Sequence, residues 1–322
     1  MNFMPITFSQ KLDSMSILKF YMHNFLSVLV LTSLFCGCAI PSKKLLLTDI
    51  KQTFPQDTII STKLKQQISF ETLLANLNSV KVIYVGERHL DKNHHDIQLK
   101  VIKSLYETNP GLCVGMEMFD HTYQHVLDQW ASGQLDEIEF LKKTHWYANW
   151  RYGFDLYRNI LLFIRANNIP LIGLNIPFHI PPKIAVGGVK NLSDDEKIHI
   201  PKTINTDIER HRLYMEKIFG DHRTRGLKNF DTFYEAQCVW EDTMAEAVAT
   251  YPCKGPMVVL AGNGHIIYKF GIPDRAFQLK PAPFKTIYLA PAGTTAELDY
   301  ADYIWVTPKP RKPHGMLKNH PQ

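Results

Sequence analysis

Two apolar runs of strand length each end in a glycine that is followed three residues later by a histidine. The first run contains Gly86 and His89 in "VIYVGERH", and the second contains Gly262 and His265 in "VVLAGNGH". A single GxxH spacing is expected by chance in a chain with 17 glycines and 14 histidines. Two copies, each directly after a buried-strand pattern, favour a functional role.

Three further polar residues occupy comparable positions at strand ends. They are Glu87 in the first motif, Glu117 in "GMEMF" and Asn175 in "LIGLN". In an open parallel sheet the carboxyl ends of the strands line one crevice, so these side chains are expected to meet the two histidines there. The two glycines would let the backbone approach closely or take positive φ.

Two imidazoles and a carboxylate are ligands that borderline divalent metals accept. The set predicts a metal held by His89, Glu117 and His265, with Glu87 as the general base of a hydrolase. Taken alone, each histidine is more often a hydrogen-bonded structural residue, so the prediction depends on the whole set meeting in one crevice.

The elements that must position these residues are four continuous apolar runs. They lie in "VKVIYVGERH", "GLCVGMEMFD", "IPLIGLNIP" and "PMVVLAGNGH". Continuous apolarity is typical of parallel strands buried on both faces, and helical patterns lie between the first three runs. The sequence therefore predicts an α/β fold with an open, mostly parallel sheet flanked by helices, and "KTIYLAP" and "ADYIWVT" are expected to add edge strands.

The pattern divides the chain into five parts. Residues 183–250 contain no strand-like run but hold two strongly helical segments, which predicts a smaller helical cap subdomain. The parts are a lipoprotein signal peptide (1–37), a tether with an early strand (38–64), the α/β core (65–182 and 251–306), the cap (183–250) and a disordered basic tail (307–322).

The N-terminal segment "LKFYMHNFLSVLVLTSLFCGCAI" has a lysine and then an apolar run of signal-peptide length that ends at Gly37-Cys38. A small residue followed by cysteine after such a run predicts lipidation of Cys38; the alternative is an ordinary cleaved secretory signal. Ala39 after the cysteine favours the outer membrane.

The net charge of +5 is mild, and no basic stripe interleaved with aromatic residues supports nucleic-acid binding. Three cysteines remain after Cys38, and none belongs to a CxxC pair. One disulfide and buried thiols are both compatible with Cys113, Cys238 and Cys253.

An ordered set of motifs resembles the ChaN-type haem-binding lipoproteins, which belong to a superfamily with TraB/Tiki and erythromycin-esterase-like proteins. The set covers residues 65–306 and comprises "GERHLDKNHHDIQ", "GMEMFD", "WYANWRYGFDLYRNILLF", "IPLIGLN", "NFDTFYEAQCVWEDTMA" and "VVLAGNGHIIYKFGIPDR". The resemblance implies haem bound by a tyrosine at a homodimer interface, in an iron-acquisition setting. For the wider superfamily it implies a metal-dependent hydrolytic crevice, matched here by Gly86, His89, Glu117, Gly262 and His265.

Phenolate oxygen is a hard ligand suited to ferric haem, and Tyr214 in "ERHRLYMEKIFGDHR" is the first candidate. Arg210, His211 and Lys217 would pair with the propionates. Tyr157 is the second candidate. The leading hypothesis is thus a haem-binding outer-membrane lipoprotein, and the alternative is the metal-dependent hydrolase.

Overall fold

The computed structural model describes residues 43–222 and 229–310. The strands are β1 (Leu45–Leu47), β2 (Gln52–Phe54), β3 (Ile59–Ser61), β4 (Gln66–Ile68), β5 (Val82–Glu87), β6 (Cys113–Asp120), β7 (Leu171–Asn175), β8 (Met257–Gly262), β9 (Phe284–Pro291), β10 (Thr295–Ala296) and β11 (Tyr303–Thr307). The α-helices are α1 (Phe70–Leu77), α2 (Lys92–Thr108), α3 (Gln124–Ala131), α4 (Glu137–Lys143), α5 (Trp146–Asn149), α6 (Arg158–Ala166), α7 (Ile180–Gly187), α8 (Asp194–Lys197), α9 (Glu209–His222), α10 (Phe230–Thr250) and α11 (Ile272–Leu279).

The main sheet has eight strands in the order β4-β3-β11-β9-β5-β8-β6-β7. Neighbouring strands from β11 to β7 are parallel, whereas β3 is antiparallel to both β11 and β4. The predicted strands β6, β7 and β8 are buried along their whole length, because helices cover both faces. The predicted fold, a mostly parallel sheet flanked by helices, is confirmed.

The prediction that the last two strands lie at the edge was wrong. Strand β9 lies between β11 and β5, and β11 lies between β9 and β3. The edge beyond β11 is covered by β3 and β4, which come from the N-terminal segment, with Ile59 paired opposite Trp305. Only three residues form each of these covering strands, too few to show a periodic pattern.

Within the described residues, positions 183–250 contain no strand. The long helix α10 packs against α7 on one side and against α11 and β7 of the core on the other. Its C-terminal half contributes Met244, Ala245 and Val248 to the apolar cluster on that face of the sheet. This helix therefore belongs to the cap segment and is also packed against the core.

A second, small sheet has the order β10-β1-β2 and lies next to the end of β9. The backbone N–H of Gly293 donates to the Lys44 carbonyl at 3.0 Å. Gly293 adopts φ of +88°, a left-handed conformation that favours glycine. The first described residues are therefore held at the carboxyl edge of the main sheet.

Cys113 and Cys253 form a disulfide with Cα atoms 6.0 Å apart, and Cys238 is a buried free thiol. Among residues 43–222 and 229–310, no helix combines the length and apolar character needed to cross a bilayer. The predicted signal peptide and Cys38 fall outside the described ranges, as does the tail beyond residue 310.

Candidate functional site

The two GxxH motifs lie side by side because β5 and β8 are parallel neighbours. Glu87 is in register with Gly262, so both motifs leave the sheet at its carboxyl edge. A Cβ atom on Gly86 would lie 2.1 Å from Asn263 Oδ1, and one on Gly262 would lie 3.2 Å from His89 Nε2. Close approach, rather than positive φ, is therefore the reason for glycine at both positions.

Glu87 is buried and holds His89 in a fixed orientation. The His89 Nδ1 atom lies 2.7 Å from Glu87 Oε1, which also accepts a 2.6 Å hydrogen bond from the Tyr157 hydroxyl. Gln98 Nε2 donates to the other carboxylate oxygen at 2.9 Å, and His95 Nδ1 lies 3.4 Å from it. The second nitrogen of His89, Nε2, is left on the side of Gly262.

This environment keeps Glu87 ionised. Burial alone would raise the pKa of this carboxyl, but the hydrogen bonds from His89 and His95 outweigh burial and hold the pKa well below its usual range. A carboxylate with a low pKa and both oxygens engaged is a poor general base. In the structure Glu87 orients His89 through Nδ1, and its own hydrogen bonds make it poorly suited to the predicted role of general base.

The second motif forms a chain of alternating charges. His265 Nε2 lies 3.5 Å from Glu117 Oε1, and His265 Nδ1 lies 3.3 Å from Glu241 Oε1. Burial alone would lower the pKa of His265, but the two carboxylates outweigh it and raise the pKa to about 10. Glu117 also accepts a 2.6 Å hydrogen bond from the Gly262 N–H. Burial would raise the pKa of Glu117, but His265 and His89 outweigh it and lower the pKa.

The structure brings the three predicted metal ligands close together, but His265 is paired with Glu117 and Glu241, and His89 is paired with Glu87. Both nitrogens of His265 face carboxylates, so neither presents a lone pair to a metal. In the described part of the chain, no group of three or more His, Cys, Asp or Glu side chains is arranged to hold a metal ion. Asn175 donates to the Glu117 carbonyl at 2.7 Å and so fixes backbone instead of facing the crevice.

A cavity of about 1080 Å³ opens above His89 and Glu117, between the carboxyl edge of the sheet and the cap segment. This volume is slightly above the usual range of about 300–1,000 Å³ for small-molecule sites. Its walls combine aromatic residues from the core and from α10 with aliphatic residues of α7 and a few polar groups. The aromatic members are Tyr123, Trp150, Tyr152, Phe178, Phe233 and Trp240. The Tyr152 ring lies 4.8 Å from the His89 ring, so an aromatic side chain partly covers His89.

The residues predicted to bind haem lie in two separate parts of the structure. Tyr157 is completely buried behind Glu87, and burial together with the Glu87 charge raises its pKa. Tyr214 is half-buried on α9, with its ring 5.6 Å from that of Tyr268. Arg210 and Lys217, on the same helix, are exposed.

Tyr214 belongs to a surface cluster that we call the tyrosine patch, formed by Tyr214, Tyr268, Tyr288 and Tyr300. The ring centroids of Tyr268 and Tyr300 are 5.0 Å apart, and those of Tyr288 and Tyr300 are 5.2 Å apart. All four side chains are half-buried. Tyr268 itself has φ of +55°, a strained conformation for a non-glycine residue that often marks a functional position.

His211 is not available to a propionate, which corrects the sequence-based prediction. It is buried with Nε2 3.4 Å from Glu241 Oε2, and Arg275 lies 3.2 Å from its Nδ1 atom. Arg210 remains suitable: its guanidinium lies 5.3 Å from the Phe270 ring, which stacks on Tyr268 at 5.1 Å. It also pairs with Asp299 at 3.4 Å.

Sequence reasoning missed Glu241 and most of the tyrosine patch. Glu241 lies on the buried face of α10 together with Tyr234, Cys238, Ala245 and Val248. A carboxylate at an apolar helical face was the signal that would have found it, because a buried acid requires a partner. The patch gave no such signal, since its members come from α9, β9 and two turns that are distant in sequence.

Comparison with known proteins gives one family and a shared fold. A family model described as haem-binding uptake, Tiki superfamily, ChaN matches residues 73–276. No curated protein shows significant similarity to the chain. The solved structure of Campylobacter jejuni ChaN with cofacially bound haem has 19% sequence identity and a TM-score of 0.63, over 77% of this chain and 95% of that one.

Two weaker structural similarities were also found. The type III effector HopBA1 is 14% identical over 74% of this chain and 93% of its own, with a TM-score of 0.45. The erythromycin esterase EreC, in a mutant form and in its open conformation, is 13% identical over 73% of this chain and 76% of its own, with a TM-score of 0.41. At these identities a structural similarity bears on the fold alone.

Proposed function

Because the chain belongs to the ChaN family of haem-binding uptake proteins in the Tiki superfamily, we propose that it binds haem and serves in iron acquisition. The observation that carries the proposal for this chain is the tyrosine patch with Arg210 at its margin. Aromatic rings at the surface offer a face on which a porphyrin can stack, and a guanidinium suits a carboxylate such as a propionate.

Within the patch, Tyr214 fits the role of iron ligand best. The Tyr268 hydroxyl donates to Glu297 at 3.2 Å, whereas the Tyr214 hydroxyl makes no hydrogen bond to residues 43–222 or 229–310. Ferric iron is a hard centre that favours an anionic oxygen ligand, which a tyrosinate supplies. Arg210 and Lys217 are the propionate partners on the same helix. The buried Tyr157 does not fit, because its hydroxyl is committed to Glu87.

Replacing Tyr214 by phenylalanine is expected to abolish the high-spin ferric spectrum that tyrosinate ligation gives when the protein is titrated with haemin. The phenol oxygen is the only group removed, and no hydrogen bond to the described residues is lost with it. The matched control is Tyr147→Phe, because Tyr147 is 69% exposed on α5 and outside the patch. Circular dichroism should show an unchanged fold in both variants.

The pH dependence of haemin affinity gives a second readout. Burial, followed by the influence of Tyr300 and Glu241, raises the pKa of Tyr214, so the phenol is protonated at neutral pH. Ligation must release this proton, and affinity should rise about tenfold per pH unit through the neutral range. An unchanged spectrum in Tyr214→Phe would show that another group binds the iron.

The proposal includes a lipid on Cys38 and location at the outer membrane, supported by the apolar segment that ends at Gly37-Cys38. It also includes a homodimer in which haem lies between two copies of the patch. Haem shared by two chains would stabilise the dimer, so the dimer fraction should increase when haemin is added.

A second function is favoured by one observation, the His89–Glu87 pair at the floor of the cavity. We propose that His89 acts as a general base in hydrolysis there, without a metal. Its Nε2 would accept a proton from water, the water oxygen would bond to a carbonyl carbon, and the leaving alcohol would depart after accepting a proton. The aromatic walls suit an apolar ester.

Replacing His89 by glutamine should reduce hydrolysis of an aromatic p-nitrophenyl ester by at least about 100-fold, measured with a chelator present. His125→Gln is the matched control, because His125 is exposed on α3. Burial alone would lower the pKa of His89, but Glu87 and Glu117 outweigh it and raise the pKa. The neutral base and the rate should therefore both increase as pH rises above 6.5. Wild-type protein without chelator-resistant turnover would eliminate this function and leave the haem proposal untouched.

A further inference from the structure

The tyrosine patch lies beside the place where the described chain begins. Tyr288 and Tyr300 pack against an apolar cluster that contains Leu45 and Leu47 of β1. The backbone N–H of Leu298, two residues before Tyr300, donates to Asp49 at 3.1 Å. The start of the described chain and the patch are therefore on the same side of the molecule, at the carboxyl edge of the main sheet.

The proposed lipid-bearing Cys38 precedes Lys43 by five residues. An extended chain spans at most about 3.3–3.6 Å per residue, so a lipid on Cys38 would lie within about 18 Å of Lys43. A tether this short favours contact between the bilayer and the side of the molecule that carries the patch. This step rests on the lipidation in the proposed function.

We propose that, in the haem-free protein, the tyrosine patch lies directly against the phospholipid surface to which the protein is anchored. Tyrosine is one of the two side chains enriched at the membrane–water interface, because its ring is apolar and its hydroxyl is polar. Leu213, the residue before Tyr214 on α9, is 53% exposed and adds an apolar side chain to the surface of the same helix.

The charges near the patch leave a small positive excess. Lys43, Lys44, Arg88, Arg210 and Lys217 are accompanied by Asp49, Glu297 and Asp299, and Arg210 is paired with Asp299. Anionic lipid would add a modest attraction, and the patch binds zwitterionic headgroups through its aromatic rings. Haem is proposed to bind the same patch. It would then enter the patch from the lipid surface, and leave to it, instead of from bulk water.

The test places an environment-sensitive fluorophore on the full-length lipidated protein in phosphatidylcholine vesicles that contain a headgroup nitroxide lipid. Leu213→Cys carries the label in one variant, and Ile138→Cys, which is 77% exposed on α4, carries it in the control. The native cysteines do not compete, since Cys113 and Cys253 form a disulfide and Cys238 is buried. The label at position 213 should be quenched severalfold more than the label at 138, equally at low and high salt.

A variant with Tyr288→Ser and Tyr300→Ser should lose most of this quenching while the anchored protein still sediments with the vesicles. Sedimentation without quenching at position 213 would overturn the inference alone. Concentration-dependent self-quenching of that label without haemin would show that a second copy covers the patch, which also overturns it. Failure to sediment, with no acyl mass on Cys38, would instead overturn the lipid anchor on which the inference rests.

Discussion

Replacing Glu241 by glutamine is expected to lower the free energy of unfolding by about 3–5 kcal/mol, because it removes one of the two carboxylates that neutralise each of the buried cations His265 and Arg275. Glu241 is fully buried and lies within 3.4 Å of His211, His265 and Arg275. Burial would raise the pKa of Glu241, but His211, His265 and Arg275 outweigh it and lower the pKa to about 2. Burial lowers the pKa of His211 itself, so the cations that Glu241 neutralises at neutral pH are His265 and Arg275. Glutamine keeps the size of the side chain and removes only the charge.

Urea unfolding of the two proteins at neutral pH measures this difference. Glu246→Gln is the matched control, because Glu246 is exposed on the same helix and should change stability by no more than about 0.5 kcal/mol. A loss below about 1 kcal/mol in Glu241→Gln would contradict the view that the carboxylate neutralises the buried cluster.

The stability of the protein should decrease as pH rises from 6.5 towards 10. The folded-state pKa of His265 is raised to about 10, so the stability that its protonation contributes is fully present below pH 6.5 and is lost as the pH approaches the folded value. At about 1.36 kcal/mol per pKa unit the loss is on the order of 3–5 kcal/mol. The raised pKa values of His89 and His95 act in the same direction.

At acidic pH the stability is expected to change in the opposite direction, falling as the pH falls. The lowered pKa values of Glu87, Glu117 and Glu241 contribute stability that is present above pH 4.5 and lost as the pH falls below it. Between about pH 4.5 and 6.5 the contributions of these three carboxyl groups and of the protonated His265 are all present. In His265→Gln the decline from pH 6.5 to 10 should largely disappear, whereas His125→Gln should retain it; an equal slope in both would assign the decline to other groups.

The parallel strands of the core could be predicted because each one is specified by a short, continuous stretch of sequence. Strands such as β8 are continuous apolar runs, and the GxxH glycines mark the points where backbone and side chains approach closely. The order of the strands was not predictable, since β8 enters between β5 and β6 although β6 precedes it in sequence. The interior position of β9 and β11 depends on pairing with the short β3, which has no sequence pattern of its own.

The same distinction applies to the site. His89, Glu117 and His265 follow strands, so sheet topology was enough to bring them together. The roles of Glu87 and His211 depended on partners from elsewhere in the chain: Tyr157 and Gln98 for the first, Glu241 and Arg275 for the second. A candidate residue can be located from sequence, but whether its polar atoms are already engaged is decided by long-range contacts.

The disulfide between Cys113 and Cys253 closes a covalent ring through 140 residues, which include the cap segment and the walls of the cavity. One end is at the start of β6 and the other is just before β8, its neighbour in the sheet. A protease that cuts the chain anywhere between these cysteines therefore produces a nicked molecule, not two fragments. The ring therefore allows the chain to be cut in the cap segment without separation of the two halves of the core.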